Sequence, residues 1–176
     1  MSENRIYMQR YAMQFGTYMG IFWIVKFILF PLGMTHSFLS FLFLGLTVAV
    51  PFMGYRFARM YRDHFCEGAI SFFQAYMFTL FMYMFAALLT AVAHYVYFRF
   101  IDQGFIINTL DSQIDQVAQM ELPQLEGYVK LYRDALDSVR NLTAVNITMQ
   151  LFSSNVFCGA LLGLPTALLV MKSKKV

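Results

Sequence analysis

The sequence contains little charge. Only 13% of its 176 residues are Asp, Glu, Lys or Arg, whereas a soluble domain usually carries about a quarter. The charge falls into short stretches, and the apolar runs between them are long enough to cross a bilayer core, which takes about 20 residues of helix. This segregation excludes an ordinary soluble domain and predicts a protein embedded in a membrane.

Cysteine and catalytic motifs are also scarce. The two cysteines, Cys66 and Cys158, lack the CxxC or Cys/His spacing of a metal site. Both fall near the side predicted below to be cytoplasmic, which disfavours a structural disulfide. The chain has no phosphate-binding glycine loop, HExxH or GxSxG pattern. We therefore expect no catalytic residue, no metal and no cofactor.

The apolar runs predict an all-α integral membrane protein with four transmembrane helices. The spans cover about residues 12–32, 38–57, 69–98 and 147–171 of a single membrane domain, 1–176. The first span is longer than a signal-peptide core and lacks a convincing cleavage site, so we expect it to remain as an anchor. The third exceeds the hydrocarbon thickness and should tilt or project from the membrane.

Residues 99–145 form a polar insert between the third and fourth spans, with seven acidic residues against four basic ones. Apolar residues recur there at steps of three and four, which is typical of amphipathic helices. The first series is Ile107, Leu110, Ile114 and Val117, and the second, beyond Pro123, is Leu125, Tyr128, Tyr132, Ala135, Val139 and Leu142. We predict a helical hairpin whose helices pack on one another or lie on the membrane rim.

The positions of lysine and arginine predict the orientation. Eight basic residues flank the spans on one side, against four in the insert on the other. The eight are Arg5, Arg10, Arg56, Arg59, Arg62, Lys172, Lys174 and Lys175. Since cytoplasmic segments carry the excess of Lys and Arg, both termini and the 56–68 loop are predicted to be cytoplasmic and the hairpin extracytoplasmic. Because the basic residues sit beside the spans, the net charge of +3 does not indicate nucleic-acid binding.

Polar residues inside the spans are candidate binding residues, because burying them in hydrocarbon is costly. Lys26, His94, Gln150 and Asn155 could meet at one depth and form a polar pocket in the outer leaflet. Such a pocket would bind an anionic or hydroxylated group, such as a lipid headgroup or a polyprenyl phosphate, with Lys26 as the charge partner. Alternatively, Lys26 reaches to the interface, His94 bonds a backbone carbonyl, and the other two make ordinary contacts between helices.

Arg56, Arg59 and Arg62 recur every three residues at the inner end of the second span. Such a group favours cytoplasmic topology and attracts anionic lipid headgroups. The alternative is a docking site for an acidic cytoplasmic partner or a phosphorylated lipid.

Two segments carry a family resemblance. The letters YRD at 61–63, EGAISFFQAY at 67–76 and YVYFRFI at 95–101 resemble the domain of unknown function 4199 family, four-helix inner-membrane proteins of Bacteroidota. The four spans and the insert extend the likeness over nearly the whole chain. The resemblance implies the bacterial cytoplasmic membrane and no known activity. Genes of this family often neighbour a membrane-associated family 2 glycosyltransferase, which implies an accessory role. Gln74, beside the arginines, is then a candidate partner contact, and the alternative is that it bridges to the neighbouring helix.

Three functions therefore compete. The first is a non-catalytic membrane accessory or scaffold protein that anchors or assists a lipid-linked family 2 glycosyltransferase and contacts membrane lipids. The second is a small transporter or flippase for lipid or polyprenyl phosphate, which with four spans would need to be a homo-oligomer. The third, an enzyme using His94 with Asp102, ranks last because eight residues separate the two along the chain, about 12 Å on a continuous helix.

Overall fold

The computed structural model describes residues 2–120 and 122–173, in backbone alone for residues 2–6. Six α-helices make up this part of the chain, and a π-helical segment, Tyr97–Ile101, extends the third. The helices are α1 (Ser2–Gly33), α2 (Ser37–Phe65), α3 (Phe72–Val96), α4 (Phe105–Ala118), α5 (Glu126–Arg140) and α6 (Ala144–Val170). No β-strand occurs among these residues, only one isolated bridge.

Four helical segments within the described residues are long and apolar enough to cross a membrane. They are Tyr7–Gly33, Ser37–Phe65, Phe72–Ile101 and Ala144–Val170. The prediction of an all-helical protein with four candidate spans is confirmed, whereas several helix ends differ from those expected. The first helix begins at Ser2 rather than near residue 12, and the last begins at Ala144 rather than near residue 147. The second helix continues to Phe65, since an i,i+4 ion pair between Arg59 and Asp63 (3.5 Å) suits a helix. The third begins at Phe72 rather than near Ala69, because Glu67 and Gly68 take positive φ values of 53° and 76° and break the helix.

The chain divides into two compact units. The larger unit comprises Met1–Ala93 and Leu151–Val176, and the smaller comprises His94–Gln150. The larger therefore holds α1, α2, most of α3 and most of α6, whereas the smaller holds α4 and α5 with the adjoining helix ends. The division into one membrane domain with an insert at 99–145 stays a prediction.

The core of the larger unit is built on α3. Phe78, Met82, Tyr83 and Ala86 of this helix are fully buried. On α1, a Cβ added to Gly16 would lie only 2.7 Å from the Met82 carbonyl oxygen. The missing side chain therefore lets the two helices approach closely, as small residues do between membrane helices.

Tyr83 lies where all four helices of the larger unit meet. Its ring stacks on Trp23 of α1, with centroids 5.9 Å apart and planes at 18°. A Cβ on Gly159 of α6 would lie 2.6 Å from the Tyr83 Cβ, and one on Gly54 of α2 would overlap the Tyr83 hydroxyl. Glycine at both positions thus makes room for one large aromatic side chain.

In the smaller unit, an elbow joins the π-helical segment to α4. Gln103 and Gly104 both have positive φ, 44° and 85°. The buried Asp102 carboxylate accepts hydrogen bonds from the backbone N–H groups of Gly104 and Ile106, each 3.1 Å long. This carboxylate satisfies donors at the start of α4 as an N-terminal cap does, so the turn is held in a fixed shape.

Two ion pairs join α4 to α5. Arg133 bonds Asp115, and Arg140 bonds Asp111, each at 2.7 Å. The later arginine meets the earlier aspartate, which is the order of an antiparallel pair. Pro123 lies in the connection between the two helices, at the position where the sequence pattern is interrupted.

Candidate functional site

The candidate site is the end of the larger unit that carries the three arginines of α2. Arg56 and Arg59 are exposed. Arg62 differs, because only 13% of its side chain is accessible, against 58% for Arg59. The three residues predicted as one group therefore have two environments, and only Arg56 and Arg59 are exposed at the surface.

Arg62 has a structural role. Its Nη1 donates a hydrogen bond to the backbone carbonyl of Val170, the last residue of α6, at 3.0 Å. Its Nε donates to the Asp63 carboxylate at 2.7 Å. A cation at a helix C-terminus satisfies a carbonyl that lacks an in-helix partner and opposes the negative end of the helix dipole. Arg62 thus fixes the end of α6 to the end of α2.

Backbone hydrogen bonds make a second connection at the same end. Ile70, in the loop between α2 and α3, exchanges two hydrogen bonds of 3.0 Å with Lys172, just beyond α6. Ile70 is buried, at 3% exposed, whereas Lys172 is exposed. The loop and the residues after α6 are therefore held together, and we call this bridge with the Arg62 contacts the latch.

Aromatic stacking brings α1 to the latched end. The ring of Tyr11 lies 3.6 Å from that of Phe65, and Tyr61 stacks on Phe78 at 4.1 Å. The early part of α1, the α2–α3 loop and the end of α6 consequently share one end of the larger unit, as the orientation argument requires. The side chain of Arg5 and residues Lys174 and Lys175, which also entered that argument, lie outside the described residues.

Gln74 forms a capping box at the start of α3. Its Oε1 accepts hydrogen bonds from the Ser71 backbone N–H (3.3 Å) and hydroxyl (3.1 Å), and the Gln74 N–H donates to the Ser71 hydroxyl (3.3 Å). This reciprocal arrangement starts a helix by satisfying its first donors. Gln74 has this role in addition to any partner contact, which stays a prediction.

Both cysteines are free thiols, with Cys66 half-buried at the latched end and Cys158 exposed on α6. Burial raises the pKa of the Cys66 thiol above its ordinary value, so the thiol stays protonated and weakly nucleophilic at neutral pH. No group of three His, Cys, Asp or Glu residues in the part of the chain that the structure describes could hold a metal ion.

Lys26, the proposed charge partner of the pocket, lies against two aromatic rings. Its Nζ is 6.0 Å from the centroid of Trp23 and 5.6 Å from that of Phe43. A cation over ring faces gains about 0.5–2 kcal/mol, which offsets part of its desolvation. These contacts give Lys26 a structural role that the sequence did not indicate.

The other candidate residues of the pocket are divided between the units. Asn155 is half-buried and belongs to the larger unit with Lys26, whereas the buried His94 and the exposed Gln150 belong to the smaller. Their convergence on one pocket stays a prediction.

The buried polar groups at the centre of the larger unit were not predicted from the sequence. The Trp23 Nε1 and the Tyr83 hydroxyl are fully buried and have no hydrogen-bond partner among the described residues. Trp23 is the single tryptophan of the chain and lies in mid-span, which was an available signal. Tyr83 stands among many similar residues in FMYMF, so no pattern distinguishes it.

Comparison with known proteins identifies a family. Residues 14–172 match the family model described as Protein of unknown function (DUF4199). No curated protein and no solved structure matches the chain.

Proposed function

The chain belongs to the DUF4199 family of proteins of unknown function, and on that premise we propose that it is a non-catalytic accessory or scaffold protein of the bacterial cytoplasmic membrane. Its partner contact is formed by Arg56 and Arg59 at the latched end of the larger unit. The observation that carries this proposal is that the three arginines differ in exposure and in their contacts within the fold. Arg62 holds the fold together, whereas Arg56 and Arg59 are exposed on a helix end that the latch keeps rigid.

The proposed topology places the latched end in the cytoplasm. Arg10, the three arginines of α2 and Lys172 lie on the segments that meet there, and Lys and Arg are concentrated in cytoplasmic segments. Both termini are then cytoplasmic, and α4 and α5 form an extracytoplasmic hairpin. Fusing a reporter that is active on one side of the membrane after residue 173, and a second within residues 119–125, tests this arrangement.

The proposed partner is a membrane-associated family 2 glycosyltransferase that acts on a lipid-linked substrate. The resemblance to the family suggested this class of enzyme. An acidic surface on such a partner would complement the exposed guanidinium groups, which form bidentate hydrogen bonds with carboxylates. Anionic lipid headgroups would compete for the same two side chains.

The experiment is co-purification from the native host in mild detergent, with the tagged protein at its natural level. We expect a glycosyltransferase in the eluate of the unaltered protein and at least a several-fold loss of it from the double variant R56Q/R59Q. The matched control is R99Q/K130Q, which removes two basic residues from the smaller unit. Absence of any glycosyltransferase from the unaltered protein contradicts the proposal, as does equal recovery from the two double variants.

The second candidate is an oligomeric transporter or flippase for a lipid or polyprenyl phosphate. The buried Trp23 Nε1, beside Lys26, and the buried Tyr83 hydroxyl favour it, because unsatisfied polar groups in a membrane core are costly and often mark a functional position. Replacing Lys26 by Leu removes the charge and keeps the apolar bulk. A cell that grows normally with Lys26→Leu in place of the native protein argues against transport, whereas loss of growth with normal protein levels argues for it.

A further inference from the structure

Helix α5 has more apolar surface than its contact with α4 covers. Val129, Leu136 and Val139 are half-buried, on the side from which Arg133 and Arg140 reach the aspartates of α4. The tyrosines and the leucine of the neighbouring sector are exposed by 60–64%: Tyr128, Leu131 and Tyr132. The sequence pattern assigned both tyrosines to the apolar stripe, and their exposure fits the alternative that this stripe lies on the membrane rim.

The three exposed residues form one surface. Positions i, i+3 and i+4 lie on the same face of a helix, so Tyr128, Leu131 and Tyr132 are neighbours. Asp137 follows Tyr128 by nine residues, or about 180° around the helix, and is exposed on the opposite face, whereas Asp134 borders the surface beside Leu131. The helix therefore has two apolar sectors, one that packs on α4 and one that is exposed. We call the exposed sector the tyrosine face.

Short connections hold this helix pair close to a membrane. Residues 102–104 separate the end of the third span at Ile101 from α4, and residues 141–143 separate α5 from α6. Three residues of extended chain reach about 10 Å. Both ends of the pair are consequently tied to helices that cross the bilayer, and both ties reach the same leaflet because no span lies between them.

The elbow prevents α4 from continuing the third span outward. Two successive residues with positive φ, Gln103 and Gly104, interrupt the helix, and the Asp102 carboxylate before them accepts hydrogen bonds from the backbone N–H groups of Gly104 and Ile106. A straight extension of the span would carry the pair away from the surface, whereas the elbow allows α4 to leave the direction of the span.

We propose that α5 lies along the membrane interface, with the tyrosine face in the headgroup region of the leaflet at which α3 ends. Tyrosine suits this region because its ring is apolar and its hydroxyl reaches water. A second copy of the chain is the less favourable occupant. The arginines of α5 are engaged with Asp111 and Asp115, and two copies meeting at this face would bring together their Asp134 carboxylates, which border it beside Leu131. The same acidity means that burial of apolar surface, rather than anionic lipid, stabilises the contact.

Site-directed spin labelling of the full chain tests the proposal. The native cysteines are replaced (Cys66→Ser, Cys158→Ser), and one nitroxide is attached through Tyr132→Cys, Leu131→Cys or Asp137→Cys. The protein is reconstituted in phosphatidylcholine vesicles, and collisions with oxygen are compared with collisions with a water-soluble nickel chelate. Because all three positions are exposed, none of the substitutions disturbs a packed contact.

We expect the ratio of oxygen to nickel accessibility at positions 131 and 132 to exceed that at 137 several-fold. Equal, water-like ratios at all three positions overturn the proposal and favour a pair that projects from the membrane. Spin–spin broadening at 131 or 132 that disappears on dilution with unlabelled protein also overturns it, because it shows that a second copy covers the tyrosine face. Replacing a third of the lipid with phosphatidylglycerol should leave the ratios unchanged, and a marked increase would contradict the apolar origin of the contact.

Discussion

The two units of the chain hold their helices together by different means. In the larger unit, Arg62 is largely buried and donates to the end of α6, and glycines let aromatic rings fit between helices. In the smaller unit, α4 and α5 are joined by arginines whose side chains are 48–49% exposed. A hydrogen bond from a charged group contributes about 1.5–3 kcal/mol, whereas an exposed ion pair contributes about 0–1 kcal/mol.

This difference shows why arginine alone does not mark a binding site. Arg62, Arg133 and Arg140 are all engaged within the fold, strongly in one unit and weakly in the other. Arg59 pairs only loosely with Asp63, at 3.5 Å. Arginines that make few contacts within the fold remain available to recognise a partner. For that reason the proposed partner contact rests on Arg56 and Arg59.

The largest expected difference in stability between the two units comes from replacing one helical glycine in each of them. Gly159→Leu forces a side chain against Tyr83, where a Cβ alone would lie 2.6 Å from the Tyr83 Cβ. We expect a loss of about 3 kcal/mol or more, at the upper end of overpacking. Gly127→Leu in α5 meets open space and should change stability little. Thermal unfolding in detergent measures both, and a similar midpoint for the two variants would contradict the packing described.

The next effect concerns the latch. Arg62→Met removes the hydrogen bond to Val170 and keeps the apolar stem, so we expect a loss of about 1.5–3 kcal/mol. Arg59→Met serves as the control because its side chain is 58% exposed. Hydrogen exchange at the Ile70 and Lys172 amides should rise in the first variant only. If both variants unfold at the temperature of the unaltered protein, the latch is not a stabilising element.

A smaller effect is expected at the elbow of the other unit. Asp102→Ala deletes the acceptor for two backbone N–H groups, and loss of such a cap costs about 0.5–2 kcal/mol. Faster hydrogen exchange should appear at Gly104 and Ile106 and leave the larger unit unchanged. Asp134→Ala, on the exposed face of α5, provides the comparison, and equal exchange in the two variants would remove the structural role given to Asp102.

The smallest effect belongs to the ion pairs of α4 and α5. Arg140→Gln should cost less than about 1 kcal/mol, and the loss should shrink as salt rises. Thermal unfolding at low and high ionic strength measures this. A loss as large as that of Arg62→Met, insensitive to salt, would mean that the two units do not differ in the way described.

The sequence was most informative about spans, because the length of an apolar run is a property of neighbouring residues. It also separated the two helices of the insert at Pro123. It could not distinguish Arg62 from Arg59, since the acceptor at Val170 lies 108 residues away. The bridge between Ile70 and Lys172 has no signal in side-chain pattern, because it is made by backbone atoms. The exposure of the second apolar sector of α5 was not predicted for a related reason. Periodicity shows that a face is apolar, but the packing of the fold determines what covers it.

The central claim, a partner bound at the exposed arginines of α2, is tested most directly by photo-crosslinking in living cells. A photoreactive amino acid at Met60, which is 36% exposed beside Arg59, leaves both arginines in place. The same residue at Phe52, 69% exposed earlier on α2, is the control. The account predicts an adduct with a glycosyltransferase from position 60 and none from position 52. Adducts with lipid alone at position 60, or the same protein adduct from both positions, would contradict it.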